Sequence, residues 1–232
     1  MIGQSTVFSS TPKHPAPLPA PLPPLDPLDP DPGSTLHAAR RLAEQCRSNM
    51  PHVDHVADLA LALFDQLHPH HRLDDQDRAL LHAAAILHDI GHADGAKGHH
   101  KRSAQRILDA DELPNNARWR LIVAASARYH RKALPSSRHQ CFAQLRPDDQ
   151  ARVRWLAACL RLADGLDKGR TSLIRQLRCT LSPNTLLLDC FSPDIEAAAQ
   201  RLHPLRKRDL LSQNLNRRVE YVVHPLAHAS NP

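Results

Sequence analysis

The chain's 232 residues are enough for one large domain or two small ones around a sizeable buried core. Lys and Arg (30) outnumber Asp and Glu (24), a formal charge of +6 that favours an anionic partner; with only 3% aromatics there are few rings to stack on bases, so nucleic acid is not the favoured one. No run approaches the ~18–20 uncharged apolar residues of a spanning helix, no basic-then-apolar leader opens the chain, and Cys46, Cys141, Cys159, Cys179 and Cys190 form no CxxC pair, which excludes membrane and disulfide-built architectures and sets the expected address as cytoplasmic.

Ten of the 20 prolines fall within residues 1–33. Such spacing predicts an extended, disordered polyproline-like arm: a tether, a ligand for a proline-reading module, or a tail without a partner. Helical periodicity begins at Ser34 or Thr35, read as the cap of a segment reaching Arg47. A second helix is predicted over Pro51–Leu67, where Val56, Leu59, Ala60, Leu63 and Leu67 recur at steps of three and four. The run His68-Pro69-His70-His71-Arg72 reads as surface loop. The third helix, Asp77–Ile90, is apolar nearly all round, as a helix in the middle of a bundle should be, and stops at Gly91.

Further helices are predicted at Ser103–Ala110 and Pro114–Tyr129, and a long one at Pro147–Leu166, capped by Asp148 or Asp149. After Ser172 the period changes. Leu177–Leu181 and Leu186–Cys190, joined by Ser182-Pro183-Asn184-Thr185, read as a hairpin; a helix at Ile195–Leu215, breakable at Pro204, and a strand at Val219–Val223 follow. The expected class is mostly α: an arm (1–33), a helical domain (34–172), and a small α+β extension (173–232).

Two features resist a purely structural reading. His88-Asp89 sits in the most apolar helix, and Asp164 ends the apolar run Trp155–Leu160; a buried unpaired carboxylate costs several kcal/mol. A divalent cation would compensate both, with His52, on the inward stripe of helix 2, as a further ligand and His55 as its fallback. Imidazole and carboxylate suit Mn, Mg, Fe, Co or Zn without choosing among them. The competing reading pairs Asp89 with a core arginine and satisfies the histidines by ordinary hydrogen bonds.

The ordered pattern His52, then Leu87-His88-Asp89-Ile90-Gly91, then Leu162-Ala163-Asp164 resembles the H…HD…D signature of the HD superfamily of metal-dependent phosphohydrolases, an HD-type helical bundle. Leu42–Leu67, Ala83–Leu108, Ala127–Pro135 and Arg161–Lys168 are similar to the C-terminal HD module of exopolyphosphatase and guanosine pentaphosphate phosphatase proteins. The resemblance implies His52, His88, Asp89 and Asp164 as metal ligands, with His99, His100 and His130 for a second ion or for phosphate. Where those relatives tend to read HHKHS, this chain has His99-His100-Lys101-Arg102-Ser103. An actin-like half that precedes the module in them is replaced here by the proline-rich arm, so polyphosphatase activity does not carry over and catalysis is expected at the HD site itself.

The seven glycines form neither GxGxxG nor a GK[ST] loop. Lys101, Arg131 and Lys132 are placed to clamp phosphoryl oxygens. The expectation is a metal-dependent phosphohydrolase acting on a nucleotide or other small phosphate ester or anhydride, in which Asp89 orients the attacking water and takes its proton. The alternative is a non-catalytic HD module that binds polyphosphate or nucleic acid and forms a homodimer.

Overall fold

The computed structural model describes residues 31–203 and 205–226. All but the last three residues of the expected arm, and Pro204, lie outside this set. Helix α1 (Pro32–Gln45) starts before Ser34, because Pro32 fills its first turn and the Asp31 carboxylate accepts from Gly33 N–H at 3.1 Å. Pro32 and Gly33 thus belong to a helix and not to the arm.

Helix α2 (Met50–His71) is capped by Asn49, whose side chain accepts from His52 N–H. It runs a full turn past the predicted end and carries Pro69 inside. Tertiary burial overrides the proline. His71, read as surface, is buried between Phe64 and Trp155, with ring centroids at 4.2 and 5.7 Å. Its Nε2 donates to Phe64 O (2.8 Å) and its Nδ1 accepts from Leu73 N–H (2.9 Å).

Helix α3 (Asp75–Leu87) opens with a capping box between Asp74 and Asp77 and packs against α1, α2, α5 and α7, the central position its all-round apolarity demands. It ends at Leu87, not Ile90, and a 3-10 turn follows over Ile90–Asp94. Helices α4 (His99–Asp109) and α5 (Ala117–Arg128) pack on each other, and α5 also packs on α3. A short α6 (Gln140–Ala143), absent from the sequence reading, leads into α7 (Pro147–Leu166). No side chain caps α7: Asp149 is drawn instead to Arg118 at 2.8 Å, and Pro147 supplies the start.

The C-terminal part is a three-stranded sheet of order β1-β2-β3 with two helices. β1 (Gln176–Leu181) and β2 (Thr185–Ser192) form the expected antiparallel hairpin, pairing Leu181 with Leu186 and Gln176 with Phe191. β3 (Arg218–Pro225) runs parallel to β2, and a parallel pair needs a crossover. That crossover is α8 (Ile195–Leu202), a 3-10 turn over Arg206–Arg208, and α9 (Asp209–Leu215), two helices in place of one. Leu186, Leu188, Cys190, Leu210 and Val219 join the same hydrophobic core as the bundle. The molecule is therefore mostly α with a small α+β appendage. Among the described residues no helix is long and apolar enough to cross a membrane.

Candidate metal centre

Helix ends leave backbone carbonyls without intrahelical donors. At the end of α3, the Ala85 carbonyl accepts from His88 Nδ1 at 2.7 Å; at the end of α5, the Ala127 carbonyl accepts from His130 Nδ1 at 2.7 Å. Just before α4, Ala96 O accepts from His99 Nδ1 at 2.9 Å. Early in α2, His52 Nδ1 donates to Asp167 at 2.7 Å. Burial works to raise the Asp167 carboxyl, but the His52 hydrogen bond and the backbone N–H of Ser172 hold it below the usual carboxylate range. It is therefore an acceptor.

Oxygen acceptors at all four Nδ1 atoms place each ring proton there and turn four Nε2 lone pairs inward, of which that of His99 has Arg131 Nη1 at 3.4 Å and that of His88 has no partner. The four converge. His99 Nε2 and His130 Nε2 are 3.1 Å apart, and the Oδ1 atom of Asp89 lies 3.6, 3.2 and 3.9 Å from the Nε2 atoms of His88, His99 and His130. His52 Nε2 is 3.8 Å from Asp89 Oδ2 and 3.5 Å from Asp164 Oδ1.

Acceptors this close repel unless a cation or a proton lies among them. Burial, aided by His52 and Lys207, pushes His88 down to about 4. Burial with His88 and Lys207 beside it drives His130 well below the imidazole range, so neither ring is protonated at neutral pH. His88 is fully buried and its Nε2 has no hydrogen-bond partner, a cost no native core carries without a reason. Burial works to raise the Asp89 carboxyl, a proton on any of the surrounding imidazoles lowers it, and Arg170 pairs with its Oδ2 at 2.8 Å, so the carboxyl is held below the usual range. The donor set thus fits a divalent cation: neutral imidazoles and an ionised carboxylate, with lone pairs already aimed.

Two overlapping triads have the spacing of ligands, His52–His88–Asp89 and Asp89–His92–His99, with atoms within 4.8 Å of one another. Asp89 belongs to both. His92, which sequence reasoning missed, stacks on His99 at 3.7 Å and places Nε2 3.6 Å from Asp89. Its signal was its position three residues after Asp89, on the turn that also carries the motif glycine.

A cavity of about 510 Å³ opens onto this cluster. His52, Asp89, His99, His130, Arg131 and Asp164 line it. Lys168, Arg170, Arg206 and Lys207 add positive charge at the walls. His55 is not among the lining residues, so the fallback ligand is not needed. Asp164 touches His52 but belongs to neither triad; its Oδ2 accepts from Lys207 Nζ. Arg161, its only obvious neighbour in the sequence, is held instead by Asp209.

Arg170 reaches Asp89 Oδ2 at 2.8 Å, the arginine pairing that the competing reading required, though from the rim and not from the core. It leaves Oδ1 to the histidines. His100, Lys101 and Lys132 do not line this cavity. Arg102, in the position where relatives carry a histidine, donates to the carbonyls of Gly91, Lys97 and Gly95 and pins the loop between the 3-10 turn and α4.

The family model of Ppx/GppA phosphatase, domain III, matches residues 36–216. The chain belongs to that family. Membership makes it a phosphatase-family module and agrees with the resemblance read from the H…HD…D elements, all of which lie inside the matched span. No curated protein matches the chain.

Proposed function

We propose that this Ppx/GppA domain III is a metal-dependent phosphohydrolase acting on a nucleotide or another small phosphate ester or anhydride. One observation carries the reading: four imidazoles turn their Nε2 atoms toward Asp89 at the floor of a cation-walled cavity, and that of His88 is buried without a partner. His52, His88 and Asp89 would hold one divalent ion, and Asp89, His92 and His99 a second, with His130 beside both. A bound divalent ion supplies a water ionised near neutral pH and a Lewis acid for phosphoryl oxygen.

Asp89, the residue common to both triads, would orient the attacking water and take its proton. Arg131, Lys168, Arg170 and Arg206 face the space above the cluster and would offset charge on the phosphoryl oxygens. Lys207 is lowered to about 7 by burial and by Arg131 and Arg161; it donates to Asp164 Oδ2, and Asp164 Oδ1 lies 3.5 Å from His52 Nε2.

A phosphate-release assay on nucleotides and aryl phosphates, with Mn, Mg, Fe, Co or Zn restored to chelator-treated protein, tests this. Turnover should require the ion and vanish in Asp89→Ala. Turnover indifferent to chelator and to that substitution would overturn it. The Arg170–Asp89 and Lys207–Asp164 pairs favour a second reading, a binding module whose carboxylates are already neutralised; it expects salt-sensitive polyphosphate binding with no turnover under any ion.

A further inference from the structure

Beside the metal cavity lies a second one of about 400 Å³, whose lining includes His100, Lys101, Arg128, Arg131 and Lys132. Among the described residues no carboxylate lines it. Among the described residues none of Lys101, Arg128, Arg131 and Lys132 forms an ion pair, whereas Arg40, Arg78, Arg106 and Arg118 elsewhere each hold an aspartate. Four converging cations without a counter-ion repel one another and make a strong positive field in a concave site.

Two further observations point to a ligand. The amino end of α4 meets this cavity at Gly98, in the left-handed conformation (φ 79°), and has no side-chain cap, so its first N–H groups remain as donors on the positive end of the helix. His100, nine-tenths buried in the first turn, lines the cavity, and its Nδ1 is sealed from solvent without a hydrogen-bond partner among the described residues. Among the described residues, donors and cations line the cavity and no anionic acceptor does.

We propose that this second cavity is a phosphoryl-binding site, separate from the His/Asp cluster and bounded from it by Arg131, which lines both cavities. The ligand is a tetrahedral oxyanion of the phosphate class: either free inorganic phosphate or a second phosphoryl group of a molecule seated at the metal centre. Binding of free phosphate here does not require the proposed catalysis, whereas the second-phosphoryl arm rests on it; Arg131 is shared with the metal cavity.

The test uses the full chain stripped with chelator, titrated calorimetrically with inorganic phosphate and with pyrophosphate at roughly 50 mM salt, where screening is modest. Lys101→Gln/Lys132→Gln alters exposed side chains and should fold as the parent does. The double variant should weaken phosphate binding by at least about tenfold, while Arg41→Gln, an exposed cation that lines neither cavity, should leave it unchanged. Equal binding by the parent and the double variant, an equal loss in Arg41→Gln, or no binding at all would overturn the proposal. With ions restored, a higher KM in the double variant for a diphosphate but not a monophosphate substrate would support the site and identify the ligand as a substrate's second phosphoryl. Unchanged KM for both, with free-phosphate binding still lost, would support it as a site for inorganic phosphate.

Discussion

Replacing Gly91 with alanine should damage the site through the backbone, without touching any side chain in it. A Cβ at this position would lie 2.3 Å from His99 O and 2.5 Å from Ser103 N, roughly 1 Å inside van der Waals contact, and both atoms belong to the α4 backbone. Relief requires the 3-10 turn and α4 to separate. That also breaks the bond from Gly91 N–H to Ser103 Oγ (2.9 Å) and draws His99 away from Asp89. Overpacking costs about 1–3 kcal/mol and the lost hydrogen bond about 1 kcal/mol more, giving a stability loss of about 3 kcal/mol. Urea unfolding followed by circular dichroism measures it, and titration with Mn should show weaker binding in the same protein. Gly95→Ala is the control for the metal readout: nothing lies within 4 Å of its Cβ, so its backbone strain, about 1–3 kcal/mol at φ +102° and ψ 161°, should leave the seating of the 3-10 turn on α4 and the Mn affinity unchanged. Gly91→Ala as stable as the parent, within about 0.5 kcal/mol, would refute the close approach and the argument built on it.

Other expectations follow from the same contacts. Asp167→Asn removes the anion that fixes His52 Nδ1–H and should lower divalent-ion affinity by about 10–100-fold without unfolding the chain, as read by calorimetry; unchanged affinity would contradict the tautomer argument. Burial pushes His71 down to about 4 from 6.5, so the unfolded chain binds more protons between those values. Stability is therefore full above about pH 6.5 and is lost as pH falls toward 4, by up to roughly 3 kcal/mol, and His71→Gln should flatten that part of the urea-midpoint profile. Gln66 donates to Leu177 O (2.9 Å) and accepts from Cys179 N–H (2.8 Å), tying α2 to an edge strand; Gln66→Leu should cost about 1–2 kcal/mol in urea. Divalent ion at a hundred times its Kd should add about 2.7 kcal/mol to the stability of stripped protein, seen as a rise in Tm.

Much of this was legible in the residues, and what was not has physical causes. α7 begins and ends at the predicted residues because Pro147 and the charged first turn mark its start and the apolar pattern stops at Leu166. The end of α2 was misplaced because Pro69 is a local breaker, while the burial of His71 that holds the last turn is a tertiary effect. α3 was drawn too long since apolarity continues to Ile90; capture of the Ala85 carbonyl by His88 leaves no trace in a hydrophobic pattern.

Within the site, His52, His88, Asp89, His99 and His130 were named from sequence and come together in space. His100, Lys101 and Lys132 were named with them but face another cavity: the start of α4 turns His100 and Lys101 away from His99, and Lys132 lies past the end of α5 in a left-handed conformation (φ 62°). Asp167 lay in plain view one turn after Asp164. Lys207 could not be found: it arrives on the crossover between β2 and β3, and nothing local signals where a crossover lands.

The account rests on a positive ion among the inward-turned Nε2 atoms. Equilibrium dialysis of chelator-stripped protein against Mn, Mg, Fe, Co and Zn, with metal counted by mass spectrometry, addresses it most directly. At least one ion per chain in the parent, lost in His88→Ala, is the predicted result. A parent chain that takes up none of the five, or a His88→Ala chain that takes up as much as the parent, would contradict it.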